Sequence, residues 1–134
     1  MASASYAPQA YQEVQVRGAD RRRLVVLLFQ GLAKFLTRAR VAMQEGNHEA
    51  KARALSSAQA ILSELLCALD EEKAPDLARP LKALYAHLQR ELVEADLQDD
   101  LERLDYVDEI AHKLHDAWEE ALEKCQQEEQ QSRR

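Results

Sequence analysis

The chain has 134 residues, three glycines, three prolines and a formal charge of −6, from 18 basic and 24 acidic side chains. That length holds one domain with a sizeable core and not two, and so little Gly and Pro leaves scant material for hairpins or long loops. An acidic balance lacks the basic footprint that nucleic acid demands, so no nucleic-acid partner is expected. Ala, Leu, Glu, Gln and Arg dominate, which points to an all-α domain. Cys67 and Cys125 form neither a close pair nor a disulfide framework, which fits a reducing cytoplasm. Met1–Tyr11 has no basic region followed by an apolar stretch, so no signal peptide is expected and the location is read as cytoplasmic.

Residues 1–18 form a small, polar arm in which Tyr6, Tyr11, Val14 and Val16 are set among Ala, Ser and Gln, with Pro8 opposing a helix start. It reads either as a mobile tail or as a strap docked on the domain. Asp20 is placed to cap a first helix from Arg21 to about Gln44, ended by Gly46-Asn47. Arg21, Arg22 and Arg23 occupy its first turn, where the helix dipole disfavours cations; they read as a solvated basic patch or as a partner contact. The run Leu24–Leu36 is apolar over most of its circumference, so it must be covered on most sides. It contains Gln30 and Lys34 and is too short to span a bilayer, so no membrane insertion is expected and the run is read as the central helix of a bundle. Gly31 in its interior costs about 1 kcal/mol relative to Ala, which points to close approach of a neighbour.

Asn47 caps a second helix, His48 to about Leu69, whose Ala50, Ala54 and Ala58 precede Ile61, Leu62 and Leu65. This helix is expected to approach its neighbour most closely at its alanine-rich start. Glu71–Pro75 breaks the pattern, and a third helix begins near Asp76 or Pro80 with Leu77, Leu81, Leu84, Tyr85, Leu88 and Leu92 on one face. The acids Asp96, Asp99, Asp100 and Glu102 place a tight turn at Ala95–Gln98 and a fourth helix from Asp99 to about Cys125. Residues 126–134 are a polar tail, expected to fray or lack order. Residues 19–125 are therefore expected to form an antiparallel four-helix bundle with the N-terminal arm, or a short helix of it, docked on it.

Bundles can house di-metal sites built from two Glu-x-x-His pairs and inward glutamates. Of the two such spacings, Glu45–His48 straddles a turn, and Glu109–His112 lies on the polar stripe with Asp108, His115 and Glu119. Solvated surface histidines are the expected reading, with no metal and no cofactor; His87 flanks the apolar face of helix three as a boundary residue. The cysteines have no local histidine and no glycine-rich phosphate loop occurs, so catalysis is not expected. Adjacent acids such as Glu71-Glu72 and Glu119-Glu120 point in different directions and read as solvated. What remains is apolar surface. Tyr85, Tyr106 and Trp118 are amphipathic aromatics of the kind enriched in binding surfaces, though the same residues serve as core caps at a bundle rim. A helix with more apolar surface than its bundle needs offers a groove to a partner's amphipathic helix.

Tyr11-Gln12-Glu13-Val14-Gln15-Val16, followed by Ala19-Asp20 and Leu24, resembles the opening of the FliS family of flagellin export chaperones. The resemblance continues through Leu28-Phe29-Gln30-Gly31, Phe35-Leu36, Glu64-Leu65, Leu69-Asp70, Leu84-Tyr85, Leu92, Glu94-Ala95 and Ala117-Trp118, and covers Tyr11 to Ala121. The sequence departs from the family pattern at Gly18-Ala19-Asp20-Arg21, at Gln30, at Asp96 and in the triple arginine. The resemblance implies a cytoplasmic four-helix bundle that binds the C-terminal segment of flagellin, prevents its premature polymerisation and supports its delivery to the flagellar type III export apparatus. It also implies cargo helices lying in apolar grooves, with an export-gate component as a further partner and a monomer or weak homodimer as the free state. On that reading Leu81, Tyr85, Leu88 and Leu92 of helix three, with Tyr106 and Ile110 of helix four, are the expected groove residues. Tyr6, Tyr11, Val14 and Val16 are then a lid over it. The alternatives are a regulatory adaptor for another helical partner, such as an anti-sigma factor or an export-gate component, and a metal-dependent bundle enzyme.

Overall fold

The computed structural model describes Arg21–Arg133. Asp20 and the arm residues Tyr6, Tyr11, Val14 and Val16 lie outside the described residues. Four helices follow in order: α1 (Arg21–Glu45), α2 (His48–Ala68), α3 (Pro75–Gln98) and α4 (Leu101–Ser132). Short connections reverse the chain each time, giving an antiparallel ring in which α1 and α3 each pack between α2 and α4. The α1 helix is thus one corner of a ring and not a central rod. It is nonetheless the most deeply covered helix, with ten buried residues against three in α4.

Packing is closest between α1 and α2 and sparsest between α3 and α4. Alanines explain the first: Ala39 and Ala42 of α1 and Ala54 and Ala58 of α2 are all buried, and small side chains let the two backbones approach. Further along, Leu28, Phe29, Leu32 and Leu36 meet Ile61, Leu62 and Leu65 in one core that also takes Leu88, Leu92, Leu104 and Val107. Gly31 is buried as well.

The turns after α1 and α3 are built alike. Gly46 adopts φ +69°, and the Asn47 N–H reaches back to the Ala42 carbonyl at 2.9 Å. The Asn47 side chain then accepts the Ala50 N–H at 3.1 Å and starts α2. At the other turn Asp99 takes the left-handed position with φ 49°, the Asp100 N–H bonds the Ala95 carbonyl at 3.0 Å, and Asp100 caps α4 through the Arg103 N–H at 3.1 Å. This corrects the expected turn at Ala95–Gln98: α3 runs on to Gln98 because an aspartate, which tolerates the left-handed conformation better than most residues, does the work of a glycine.

Lys51 secures this end. Among the described residues it is the one buried charged side chain, with its ammonium 2.6 Å from Asp99 Oδ1, 3.0 Å from Asp96 Oδ1 and 3.1 Å from the Asp96 carbonyl. The hydrogen bond that Lys51 donates to Asp99 outweighs burial and raises the Lys51 pKa, and the same bond lowers that of Asp99.

The opposite end is looser. The link from α2 to α3 folds over Asp70, whose Oδ1 accepts the Glu72 and Lys73 N–H groups at 3.1 Å. The α3 helix begins at Pro75 with no side-chain cap on Ala74, which leaves Pro80 inside the helix and not in its first turn. The α4 helix runs seven residues past Cys125, to Ser132, so the expected frayed tail is helical there. Its Gln and Glu side chains favour a helix but bury nothing.

Candidate functional site

Three faces of α3 have three different surroundings, and they decide which of the expected groove residues can meet a partner. On the inner face Tyr85, Leu88 and Leu92 are at most 1% exposed. The Tyr85 ring meets Phe29 edge-on at 6.1 Å, and its hydroxyl is hydrogen-bonded to Trp118. Burial drives the Tyr85 pKa up to about 12, with the Trp118 bond acting the other way. These three side chains are core in this structure. Trp118 sits half-buried against the same core at its rim.

The remaining expected residues lie along the outer seam between α3 and α4. Tyr106 is 42% exposed, while Leu81 and Ile110 are half-buried against the core. Two contacts set the seam's register: His87 Nε2 lies 3.0 Å from the Tyr106 hydroxyl, and Arg103 donates to Glu91 at 2.9 Å. From His87–Tyr106, steps of three and four residues bring half-buried Leu84 level with Ile110, and a further two turns bring Leu77 level with Ala117. Leu77 is 55% exposed. The result is an apolar strip about 20 Å long, at about 1.5 Å per residue, closed at one end by the Glu91–Arg103 ion pair. A sparsely packed helix pair leaves such a strip because neither helix fully covers the other's flank.

This strip can bury the apolar stripe of an amphipathic helix, with His87, Glu91 and Arg103 as polar groups at its edge. It offers no nucleophile. Among the described residues no three His, Cys, Asp or Glu side chains come together to hold a metal ion. His115 contacts Asp116 at 3.1 Å and Glu119 at 3.2 Å, and reaches Gln30 at 3.5 Å, beside a depression of about 260 Å³ between α1 and α4. His112 Nδ1 lies 2.8 Å from the Asp108 carbonyl and 3.3 Å from its Oδ1, which has no hydrogen bond among the described residues. Burial raises the Asp108 pKa, partly offset by His112. Arg22 contacts the Cys125 sulfur, which joins the basic first turn of α1 to α4.

Residues 3–125 match the family described as flagellar protein FliS. The chain belongs to the FliS family. It is 35% identical to the flagellar secretion chaperone FliS of Escherichia coli strain K12 over 119 residues, covering 85% of this chain and 88% of that protein. Similar matches are the flagellar secretion chaperones FliS of Salmonella typhimurium (32%, 87% of this chain and 90% of that protein) and of Bacillus subtilis (31%, 85% and 84%).

Half of the described residues that carry the FliS resemblance are interior. Leu28, Phe29, Leu36, Leu65, Tyr85, Leu92 and Ala95 are all buried. They specify the bundle more than the surface. The sequence did place Leu77 and Leu84 on helix three, but as part of one broad apolar face. Their offset of about 50–70° from the inner stripe of Tyr85, Leu88 and Leu92, at about 100° per residue, is the signal in the sequence that they look toward α4. Among the described residues no helix is long and apolar enough to cross a membrane.

Proposed function

We propose that this protein is a secretion chaperone that binds the C-terminal segment of flagellin, keeps it from polymerising early and supports its delivery to the flagellar type III export apparatus. The observation that carries this reading is the open apolar seam of α3 and α4, with Leu77, Tyr106 and half-buried Leu81, Leu84 and Ile110, on a member of a family whose relatives are named flagellar secretion chaperones. A segment that is unstructured when free must offset its ordering cost on binding, so it needs a long and largely apolar contact. The seam supplies that as a helix-in-groove site. Tyr85, Leu88 and Leu92 serve from beneath by holding α3 in place. The arm residues Tyr6, Tyr11, Val14 and Val16 act as a lid over apolar surface in the cargo-free protein, which keeps that protein a monomer or weak homodimer.

The test is size-exclusion chromatography with light scattering on the protein mixed with flagellin from the same organism, whole and lacking its C-terminal segment. A 1:1 complex that vanishes on truncation is expected, and Tyr106→Asp or Ile110→Asp should weaken it at least tenfold with helicity retained. No complex with either flagellin overturns the reading and leaves an adaptor for another helical partner. Deleting Met1–Val16 should raise dye binding to exposed apolar surface; unchanged dye binding overturns the lid.

A further inference from the structure

The third face of α3 points away from both the core and α4, and the chaperone reading makes no use of it. Arg79, Lys82, Ala86, Arg90, Val93 and Leu97 recur on it at steps of three and four residues. Val93 is 50% and Leu97 74% exposed, the latter the most exposed of the large apolar side chains among the described residues. Arg79 and Arg90 are exposed and have no carboxylate partner among the described residues, while Lys82 pairs with Glu71 at 3.1 Å. Three of the four acids of α3 are engaged elsewhere: Asp96 with Lys51, Glu91 with Arg103, and Glu94 in a hydrogen bond from Gln98 at 3.3 Å; the fourth, Asp76, stands in the first turn ahead of Arg79. In a chain of charge −6, these six positions hold three cations and no acid, and of the three cations only Lys82 meets a carboxylate, that of Glu71 from the preceding link.

The neighbouring flank of α2 leaves room beside it. Gln59 donates to the Gln89 carbonyl at 2.8 Å, and Gln89 donates to Ser63 Oγ at 3.0 Å, which fixes the α2–α3 register. That register sets Ala52 across from Leu97, Ser56 across from Val93 and Cys67 across from Lys82, and the last two line one depression at the far end together with Asp70, Glu71 and Glu72 of the α2–α3 link. The α2 side is thus small and uncharged where the α3 side is apolar or basic. From Arg79 to Leu97 the face runs five turns, about 27 Å. It is apolar at the Val93–Leu97 end and carries Arg90 and Arg79 beyond that, while Lys82 faces the acids of the α2–α3 link.

We propose that this outer α2–α3 face docks an acidic amphipathic helix of a second protein, with its apolar end on Val93 and Leu97 and its carboxylates on Arg90 and Arg79. The small α2 side chains let the incoming helix lie close, and bidentate guanidinium–carboxylate pairing fixes its register. The site is separate from the α3–α4 seam, on the other flank of the same helix, so one bundle can hold both ligands together.

The probe is a fluorescein-labelled 18-residue helical peptide of Ala, Leu and Glu, with leucines at one end of one face and glutamates along the rest. A control peptide carries Lys in place of Glu. Fluorescence anisotropy on the full chain should show saturable binding of the glutamate peptide, weakened several-fold by raised salt, and none of the lysine peptide. Arg79→Glu with Arg90→Glu, and separately Leu97→Asp, should each weaken it at least tenfold with unchanged circular dichroism, since all three positions are exposed. Tyr106→Asp should leave it unchanged, and the double arginine variant should still bind flagellin's C-terminal segment as the unaltered protein does. Equal binding of both peptides overturns the proposal. So does loss in Tyr106→Asp with retention in the arginine variant, which would move the peptide to the seam. A concentration-dependent dimer of the protein alone, abolished by Leu97→Asp, also overturns it by giving the face to a second copy.

Discussion

The two ends of the bundle are built to different standards. At the end where α1 turns into α2 and α3 into α4, each helix stop has its left-handed residue, each helix start has its side-chain cap, and Lys51 ties the two turns together. At the other end α3 starts without a cap, carries a proline in its second turn, and leaves Leu77 exposed, while α4 overhangs. The lesson is that order is concentrated where the chain reverses twice in parallel, and apolar surface is left open where it does not. The apolar half of the α3–α4 seam lies toward the less restrained end.

Four substitutions test this contrast between the ends. The largest effect is expected from Tyr85→Ala, which empties a core site shared with Phe29 and Trp118 and should cost about 3–5 kcal/mol, read as a lowered denaturation midpoint. A loss of cargo binding without that destabilisation would return Tyr85 to the groove. Pro80→Ala comes next and in the opposite direction. It restores a backbone donor to α3 and should stabilise the protein by about 1–3 kcal/mol, with hydrogen exchange slowing near Asp76. If the open end is already as ordered as the other, no slowing will be seen there.

Gly46→Ala tests the ordered end. Nothing lies within 4 Å of an added Cβ, so the cost is the left-handed backbone alone, about 1 kcal/mol. The smallest effect is one of pH. The Lys51 pKa is raised, so its contribution is full below the ordinary value of 10.5 and is lost as pH rises through the raised value. The Asp99 pKa is lowered, so its contribution is full above the ordinary 3.8 and is lost as pH falls through the lowered value. The difference in thermal midpoint between the protein and Lys51→Met should therefore be level between 3.8 and 10.5 and change beyond either edge; a difference that stays the same at every pH would refute the linkage.

Much of the bundle was legible in the chain. Apolar residues at three- and four-residue steps marked four helices, Gly46-Asn47 marked the first turn, and the alanines that open the second helix announced its close approach to a neighbour. The second turn was misplaced because Asp99 does what Gly46 does, and an aspartate is rarely read as a helix stop. Helix α4 outruns its expected end at Cys125 because Gln and Glu sustain a helix without burying anything, so polarity there does not mark disorder. The candidate site was legible in kind and less so in detail. Tyr106, Ile110 and Leu81 lie at the seam, but Tyr85, Leu88 and Leu92 lie beneath it.

The amino-acid sequence by itself determined the helices, their order and their family, because periodicity, capping and turn residues act over a few positions and need no partner. Only the tertiary structure decided what each side of α3 looks toward. Periodicity shows which residues share a face, but not whether that face meets leucines, a glutamine ladder, another helix or water. That depends on side chains dozens of residues away, such as Phe29, Gln59 and Arg103, brought to α3 by the ring of packed helices.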